Sequence, residues 1–400
     1  MSEYLPGLEG VPATKSNISD IDGEQGILSY RGYRIEELAE HSSFEETCLL
    51  LLDGRLPTSQ ELALFQQQLR SNYRVRFQIR EMMRYMPADG HPMEMLQTAV
   101  ASLGMFYPGN ECLTGSELCE DINYIHNMSV KIIARMGTLV AMWEHIRNGY
   151  DPVAPRPDLG YAENFLYMLH GREPDPFLAR ILDICLVLHA EHTINASTFA
   201  ALVAGSTLAS PYGVIAAAIG TLSGPLHGGA NEKVVEMLRE IGSPDRVEAW
   251  LDEKLAKKEK VWGMGHREYK TKDPRATILQ GLMEKLSEHK GGKNSPLFET
   301  AIALEQAAEA RLAQKGVYAN VDFYSGILYS EMGIPTDQFT SVFAVARSAG
   351  WLAHWREQLA DNRIFRPTQV YVGEPLRPYL PIEQRRAPAP GQSPSRKASG

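Results

Sequence analysis

The sequence predicts a mostly α-helical protein in two lobes. Three observations point there. Helix starts marked by capping residues recur along the chain, a strand signal occurs once near the N-terminus, and 400 residues exceed one typical compact core. With 44% hydrophobic residues, 22% charged residues and a formal net charge of −9, the composition is that of an ordinary acidic globular protein. Nucleic acid and anionic membrane are poor partners for it.

In chain order, the strand signal comes first. The stretch "TKSNISDIDGEQGILSYRG" places two short extended runs around a Gly- and Asp-rich turn, which is a β-hairpin pattern. A capping box, Ser43 to Glu46, then opens a helix over "TCLLLL". "DPFLARILDICLVLHAEH" reads as one helix, with Asp175 as N-cap and Pro176 as first helical residue. "GVIAAAIGTL" is a buried helix, and "EKVVEMLREIG" starts the next one around Asn231 and Glu232. A charged, solvent-facing helix spans 245–260, and another runs from Ser295 and Pro296 to Gly316. The tail "RRAPAPGQSPSRKASG" has no periodicity and is expected to be disordered. No repeat of solenoid period is present.

No apolar run approaches the ~20 residues a membrane span needs, and "MSEYLPGLEG" lacks the basic-then-apolar layout of a signal peptide, so the expected compartment is the cytoplasm. Cys48, Cys112, Cys119 and Cys185 form no C-x-x-C pair and are expected to be free thiols.

Four segments put polar chemistry into apolar surroundings. In "LVLHAEHTINAS", helical spacing carries His189 and His192 toward the buried face. Core packing, substrate contact and metal binding all fit that pair, although no H-E-x-x-H pattern or further ligand completes a metal set. In "SGPLHGGANE", Gly224, Gly228 and Gly229 surround His227 at the junction of two helices, either as a plain loop or to aim the ring at a ligand. In "VWGMGHREYKTKDPRA", Gly263 and Gly265 precede His266, and Arg267, Lys270, Lys272 and Arg275 follow. This is either a solvated basic loop or one that holds an anion with backbone amides and side chains. In "YANVDFYSGILY", Asp322 interrupts a run that favours burial, as a structural acceptor or as a base in a cleft. Beyond these, Arg347 lies on an apolar helix face and must be paired, for which a ligand carboxylate would serve.

Taken in order, "GPLHGGANE", "GMGHREYKTKDPR" and "NVDFYSGILY" resemble the citrate synthase family, and the resemblance runs from "PGLEGVPATKSNIS" to about Arg386. It is closest to the short bacterial, cyanobacterial-like type. It implies an all-helical two-domain fold with a small N-terminal β-hairpin: a large domain over 1–227, a small domain over 228–333 carrying the CoA loop and the aspartate, and a return to the large domain over 334–385. A disordered tail over 386–400 completes the chain.

The resemblance also implies roles. His227, His266 and Asp322 are the catalytic set. His192, Arg275, Arg347 and Arg366 contact oxaloacetate, with Arg366 contributed across a homodimer or an assembly of dimers. The CoA loop is Val261, Gly263, Met264 and Gly265, and Arg267, Lys270, Lys272 and Lys315 compete for the CoA phosphates. No metal or cofactor is expected, acetyl-CoA being a substrate. Asp322 would take a methyl proton while a neutral His227 stabilises the enol, and His266 would polarise the ketone of oxaloacetate. Hinges near Gly224–Gly229 and around Gly333 would close the site. Propionyl-CoA, as in 2-methylcitrate synthase, would use the same residues. A metal hydrolase built on His189, Glu191 and His192, or a non-catalytic helical scaffold, are the readings from other classes.

Overall fold

The computed structural model describes residues 4–107 and 121–385. Most of these residues are helical, as the sequence predicts, and the sheet is confined to the N-terminal region. Strands β1 (Ser19–Asp22) and β2 (Ile27–Tyr30) form the expected antiparallel hairpin, with Ser19 opposite Tyr30 and Asp22 opposite Ile27. A two-residue strand β3 (Tyr33–Arg34) extends the sheet in the order β1-β2-β3. Leu28 and Tyr30 are fully buried, which anchors the hairpin to the helical core.

The predicted helix starts follow local chemistry. Asp175 accepts from the Phe177 amide at 2.8 Å ahead of helix Pro176–His189, and Ser295 accepts from Phe298 ahead of helix Pro296–Leu312. The latter continues as a 3₁₀ turn to Lys315, where Gly316 ends it in the left-handed region at φ 68°. At Phe44–Asp53 only half of the predicted capping box forms: Ser43 accepts from the Glu46 amide at 3.2 Å, without a reciprocal bond from Glu46 among the described residues. The full box occurs instead at Thr58 and Glu61.

Helix Pro176–His189 ends before His192, so the placement of His192 on a helical face is corrected. The three carbonyls that a longer helix would employ have tertiary partners. Arg347 Nε donates to the His189 carbonyl at 2.7 Å, the Gly350 amide to that of Ala190 at 3.1 Å, and Tyr30 OH to that of Glu191 at 2.7 Å. The chain then turns through Thr193 at φ 51° into helix Ala196–Ser206, capped by Asn195.

Residues Pro12–Phe365 form one compact unit. Its core includes the buried faces of helices Ile122–Arg147, Pro211–Leu222 and Phe339–Ala360. The expected charged helix is Val247–Ala256, with Val247 and Leu251 turned inward. A second unit, Met1–Val11 with Arg366–Gly400, has 3₁₀ turns at Pro6–Leu8 and Ile382–Gln384, and exposes Tyr371, Val372, Leu376 and Tyr379. The tail at 386–400, and with it that disorder expectation, lies outside the described residues. Cys48 and Cys185 are buried free thiols, and Cys112 and Cys119 also lie outside the described residues. No helix among the described residues is long and apolar enough to cross a membrane.

Candidate active site

His227 sits in the turn after helix Pro211–Leu222. The Gly228 amide donates to the Leu222 carbonyl at 3.0 Å, and a Cβ on Gly228 would overlap that same oxygen, so this turn requires glycine. The His227 ring points at the first turn of helix Ala196–Ser206, where its Nε2 accepts from the Ser197 amide at 3.2 Å and lies 2.9 Å from Ser197 Oγ. An amide can only donate, so Nε2 carries the lone pair and the neutral ring holds its proton on Nδ1. Burial, then the charge of Arg347, pushes the His227 pKa down to about 4, so the ring is neutral at pH 7. Ser197 is itself fixed, its Oγ donating to Asn195 at 2.7 Å and accepting from Trp351 Nε1 at 3.1 Å.

His266 is oriented in the same way. Its Nδ1 accepts from the Glu268 amide at 3.0 Å and the Tyr269 amide at 3.3 Å, leaving Nε2 as the donor. Burial, then Arg275, pushes its pKa down to about 4. The His192 ring stands edge-on to it, 5.1 Å away, with His192 Nε2 3.2 Å from Tyr269 OH. Burial, then Arg275 and His266, holds His192 well below the usual imidazole range.

Asp322 lies in the first turn of helix Val321–Glu331, where Asn320 Oδ1 accepts from its amide at 3.0 Å. A helix N-terminus favours a carboxylate anion, yet burial dominates and raises the Asp322 pKa to about 7, against the pull of Arg275, Arg347 and Lys260. Its Oδ1 is sealed from solvent with no hydrogen-bond partner among the described residues.

Arg275 and Arg347 are 2% and 1% exposed. Arg275 is paired from within: Nε and Nη2 bond both oxygens of Asp273 at 3.0 and 2.7 Å, and Asp273 caps helix Pro274–His289. Burial opposes the charge of Arg275, but Asp273 holds its pKa above the ordinary value. Arg347 differs. Among the described residues no carboxylate lies within ion-pair distance of it, its Nε binds a carbonyl, and burial pushes its pKa down to about 10. A buried guanidinium in that state is a ready site for an anion.

The charges of Arg275 and Arg347 act on Asp322 and His192, and one or the other on His227 and His266, so these six residues share one electrostatic neighbourhood. Arg366 belongs to the terminal unit, where it is exposed and donates to the Pro367 carbonyl at 3.1 Å. His189 is a packing residue, its Nδ1 on the Cys185 carbonyl at 2.7 Å and its ring edge-on to Phe343. No group of three or more possible ligands for a metal occurs among the described residues.

The glycine loop is stapled to the segment that leads to Asp322. Gly263 and Gly265 adopt φ 77° and 84°, Met264 bridges Ala319, and the Asn320 side chain donates to the Gly265 carbonyl at 2.8 Å. A Cβ on Gly263 would come within 2.8 to 3.0 Å of Val234 and Phe323. The expectation that loop amides bind an anion is corrected for several of them. The Met264, Gly265, Glu268, Tyr269 and Lys270 amides all have protein acceptors: Gly265 and Lys270 bond the Tyr318 and Gly23 carbonyls, and Met264, Glu268 and Tyr269 bond the Val261 carbonyl and the His266 ring within the loop. Val261 and Met264 are buried. Among the competing cations, Lys272 is engaged by Glu305 at 2.7 Å and Gln280 at 2.6 Å, whereas Arg267, Lys270 and Lys315 are exposed.

Ser197, Trp351, Tyr269, Asp273 and Lys260 were not singled out by the sequence. Asp273 had a legible signal, an Asp-Pro helix start two residues before Arg275. The Ser197 contribution is an amide, which no side-chain pattern marks.

A neutral imidazole with a free ring donor, a carboxyl whose pKa burial raises to about 7 and a buried guanidinium with no carboxylate partner among the described residues thus lie in one neighbourhood, the kind of polar cluster an enzyme of this helical class carries. The chain belongs to the citrate synthase family, matching "Citrate synthase, C-terminal domain" over residues 7–368. It is 63% identical to the citrate synthase of Acidithiobacillus ferridurans over 96% of this chain and 98% of that one. It is 52% identical to that of Synechocystis sp., over 96% and 94%. Among solved structures, the ternary complex of Thermoplasma acidophilum citrate synthase with carboxymethyl coenzyme A and oxaloacetate superposes with a TM-score of 0.89. The two are 34% identical, over 96% of this chain and all (100%) of that one.

Proposed function

We propose that this chain condenses acetyl-CoA with oxaloacetate and water to citrate and CoA, with Asp322 as base and His227 and His266 as neutral hydrogen-bond donors. The observation that carries the reading is the Ser197 amide bond to His227 Nε2, which leaves Nδ1–H free to donate, in the same charged neighbourhood as a buried Asp322 oxygen with no partner among the described residues and a carboxyl pKa raised to about 7. A carboxylate of ordinary pKa, about 3.9, is too weak a base for a thioester methyl group. Raised to about 7, it is matched to working pH.

Asp322 removes one methyl proton as His227 Nδ1–H bonds the thioester oxygen and stabilises the enol. A donor in this position contributes about 10²–10³ in rate. His266 Nε2–H polarises the ketone of oxaloacetate, whose carboxylates lie against Arg275, Arg347 and His192. The enol carbon bonds the ketone carbon, giving citryl-CoA, and water then cleaves the thioester to release citrate and CoA. None of these steps needs a further cofactor. The relatives named above are citrate synthases, which favours acetyl-CoA over propionyl-CoA as donor.

In this reading, residues 228–333 move as a small lobe about the 224–229 turn and Gly333, which has φ 74°, closing over oxaloacetate before acetyl-CoA reacts. Arg267, Lys270 and Lys315 hold the CoA phosphates, Val261 to Gly265 hold its adenine, and Arg366 completes the site of a second copy in a homodimer. The compartment is the cytoplasm. Oxaloacetate-dependent release of CoA thiol tests the function, with kcat/KM expected to be higher for acetyl-CoA than for propionyl-CoA. No release with either donor would overturn it.

A further inference from the structure

The stretch "HAEH" leaves one charged residue outside the chemistry above. Glu191 is fully buried, and its Oε1 accepts from His354 Nε2 at 2.9 Å and from Ser19 Oγ at 2.9 Å. Burial pushes its pKa up, but His354, Arg347 and Ser19 together hold it below the ordinary value, so it is a buried carboxylate anion. Such a group is costly unless its bonds serve a purpose.

Those bonds converge on one turn. Ser19 Oγ, besides donating to Glu191, accepts from the Thr193 amide at 3.1 Å. His354 lies seven residues after Arg347 on helix Phe339–Ala360, so both side chains leave the same helix face, two turns apart. Between them Gly350 donates to the Ala190 carbonyl, and a Cβ there would overlap both that oxygen and the Glu191 carboxylate. The turn from His189 to Thr193 is therefore registered against helix Phe339–Ala360 at three levels by Arg347, Gly350 and His354, and against the hairpin by Ser19. His192 is the residue this turn presents to His266 and Tyr269.

We propose that Glu191, held by His354 and Ser19, is a positioning residue that sets the register of His192 against Arg347 and thereby the oxaloacetate subsite. The inference rests on the reading of His192 and Arg347 as oxaloacetate contacts. Glu191 touches no reacting atom. It acts through hydrogen bonds that fix the backbone on either side of His192, so its loss is read in oxaloacetate affinity. A displacement of about 1 Å at a positioned group costs on the order of 10²-fold.

Steady-state kinetics of the full-length enzyme, varying each substrate separately, tests this. Glu191→Ala and His354→Ala are each expected to raise the KM for oxaloacetate by about 10²-fold, with the KM for acetyl-CoA changed less than about threefold. Glu191→Gln and His354→Gln keep an acceptor and a donor in place and are expected to restore oxaloacetate KM to within about fivefold of wild type. Ser19→Ala removes one hydroxyl at the start of β1 and keeps the test open if the alanine variants do not fold; about a tenfold rise in oxaloacetate KM is expected. Unchanged oxaloacetate KM in Ser19→Ala and Glu191→Ala, an equal rise for both substrates, or Glu191→Gln as impaired as Glu191→Ala would each overturn the proposal. Arg347→Leu is the control for the underlying reading. If it binds oxaloacetate like wild type, the subsite assignment itself fails; if it loses oxaloacetate while Ser19→Ala and Glu191→Ala do not, only the role of Glu191 fails.

Discussion

The backbone amide of Ser197 donates to Nε2 of His227 at 3.2 Å, joining the start of one helix to a ring held in the turn after another. The donor is a main-chain group at a helix N-terminus, where the partial positive charge also disfavours an imidazolium. Substitution of the Ser197 side chain leaves this bond in place. Ser197→Ala is therefore expected to keep kcat within about tenfold of wild type, while His227→Ala loses about 10²–10³. Rates at saturating substrates check this, and a Ser197→Ala loss as large as that of His227→Ala would show that the hydroxyl, rather than the amide, sets the ring.

Asp322 gives a kinetic and a stability expectation of definite sign. Its folded pKa of about 7 lies above the unfolded value of about 3.9. As base it must be ionised, so kcat/KM for acetyl-CoA should rise with pH through about 7 and then level off. Between about pH 4 and pH 7 the native state binds more protons than the unfolded state, so this group's contribution to stability falls as pH rises and stays low above 7. Asp322→Asn removes that cost. It should abolish turnover by orders of magnitude, leave oxaloacetate binding intact, and raise the melting temperature at pH 8 more than at pH 5. Denaturation at the two pH values checks the sign, and equal effects at both would show that the carboxyl is not held protonated in the fold.

Much of this site was legible in the sequence, for local reasons. Asp175-Pro176 and Ser295-Pro296 each combine a side-chain cap with a proline that needs no amide partner, and both helices start there. His227, His266 and Asp322 stood out because a titratable group beside glycines or inside an apolar run is costly to bury without a partner, and a ligand supplies one. The misses have other causes. Helix Pro176–His189 stops at its last histidine because partners from residues 30, 347 and 350 take the carbonyls there, and no local pattern encodes a partner more than 150 residues away. Five of the loop amides are taken in two ways: Gly265 and Lys270 by the distant Tyr318 and Gly23 carbonyls, and Met264, Glu268 and Tyr269 by the local Val261 carbonyl and His266 ring, a turn geometry that residue types alone do not specify.

Gly263 carries both backbone strain and lack of space. Its φ is 77°, and an added Cβ would meet Phe323, the residue after Asp322, at 2.9 to 3.0 Å. Gly263→Ala should therefore push on the base as well as on the loop. A loss of about 1–3 kcal/mol in stability is expected from the backbone conformation alone. The fall in kcat/KM for acetyl-CoA should exceed any change in oxaloacetate KM. Unfolding curves with two-substrate kinetics check both parts.

The cations of the glycine loop should separate by their contacts. Lys272 is bound to Glu305 and Gln280, so Lys272→Ala should lower stability with little effect on acetyl-CoA KM. Lys270 and Lys315 are exposed, and Arg267 with them, so their alanine variants should raise acetyl-CoA KM severalfold with unchanged melting temperature. Added salt should narrow that difference, because exposed charges are screened over about 10 Å at 0.1 M.

Arg366 is exposed in the terminal unit, and its only hydrogen bond to a described residue is to the neighbouring Pro367 carbonyl, so its guanidinium keeps most of its donors for another acceptor. If those donors complete the site of a second copy, a subunit carrying Arg366→Ala still has an intact Asp322, and a subunit carrying Asp322→Asn still has an intact Arg366. Each homodimer has two defective sites. In a mixed dimer, one site collects both defects and the other collects none, so one site in two is restored. Subunits that exchange at random between equal amounts of the two inactive variants form half mixed dimers, and activity should recover to about a quarter of wild type per subunit. Recovery is read as oxaloacetate-dependent CoA release after exchange has been confirmed by mass spectrometry of tagged subunits. Exchange without recovery would place Arg366 in its own subunit's site or outside the chemistry.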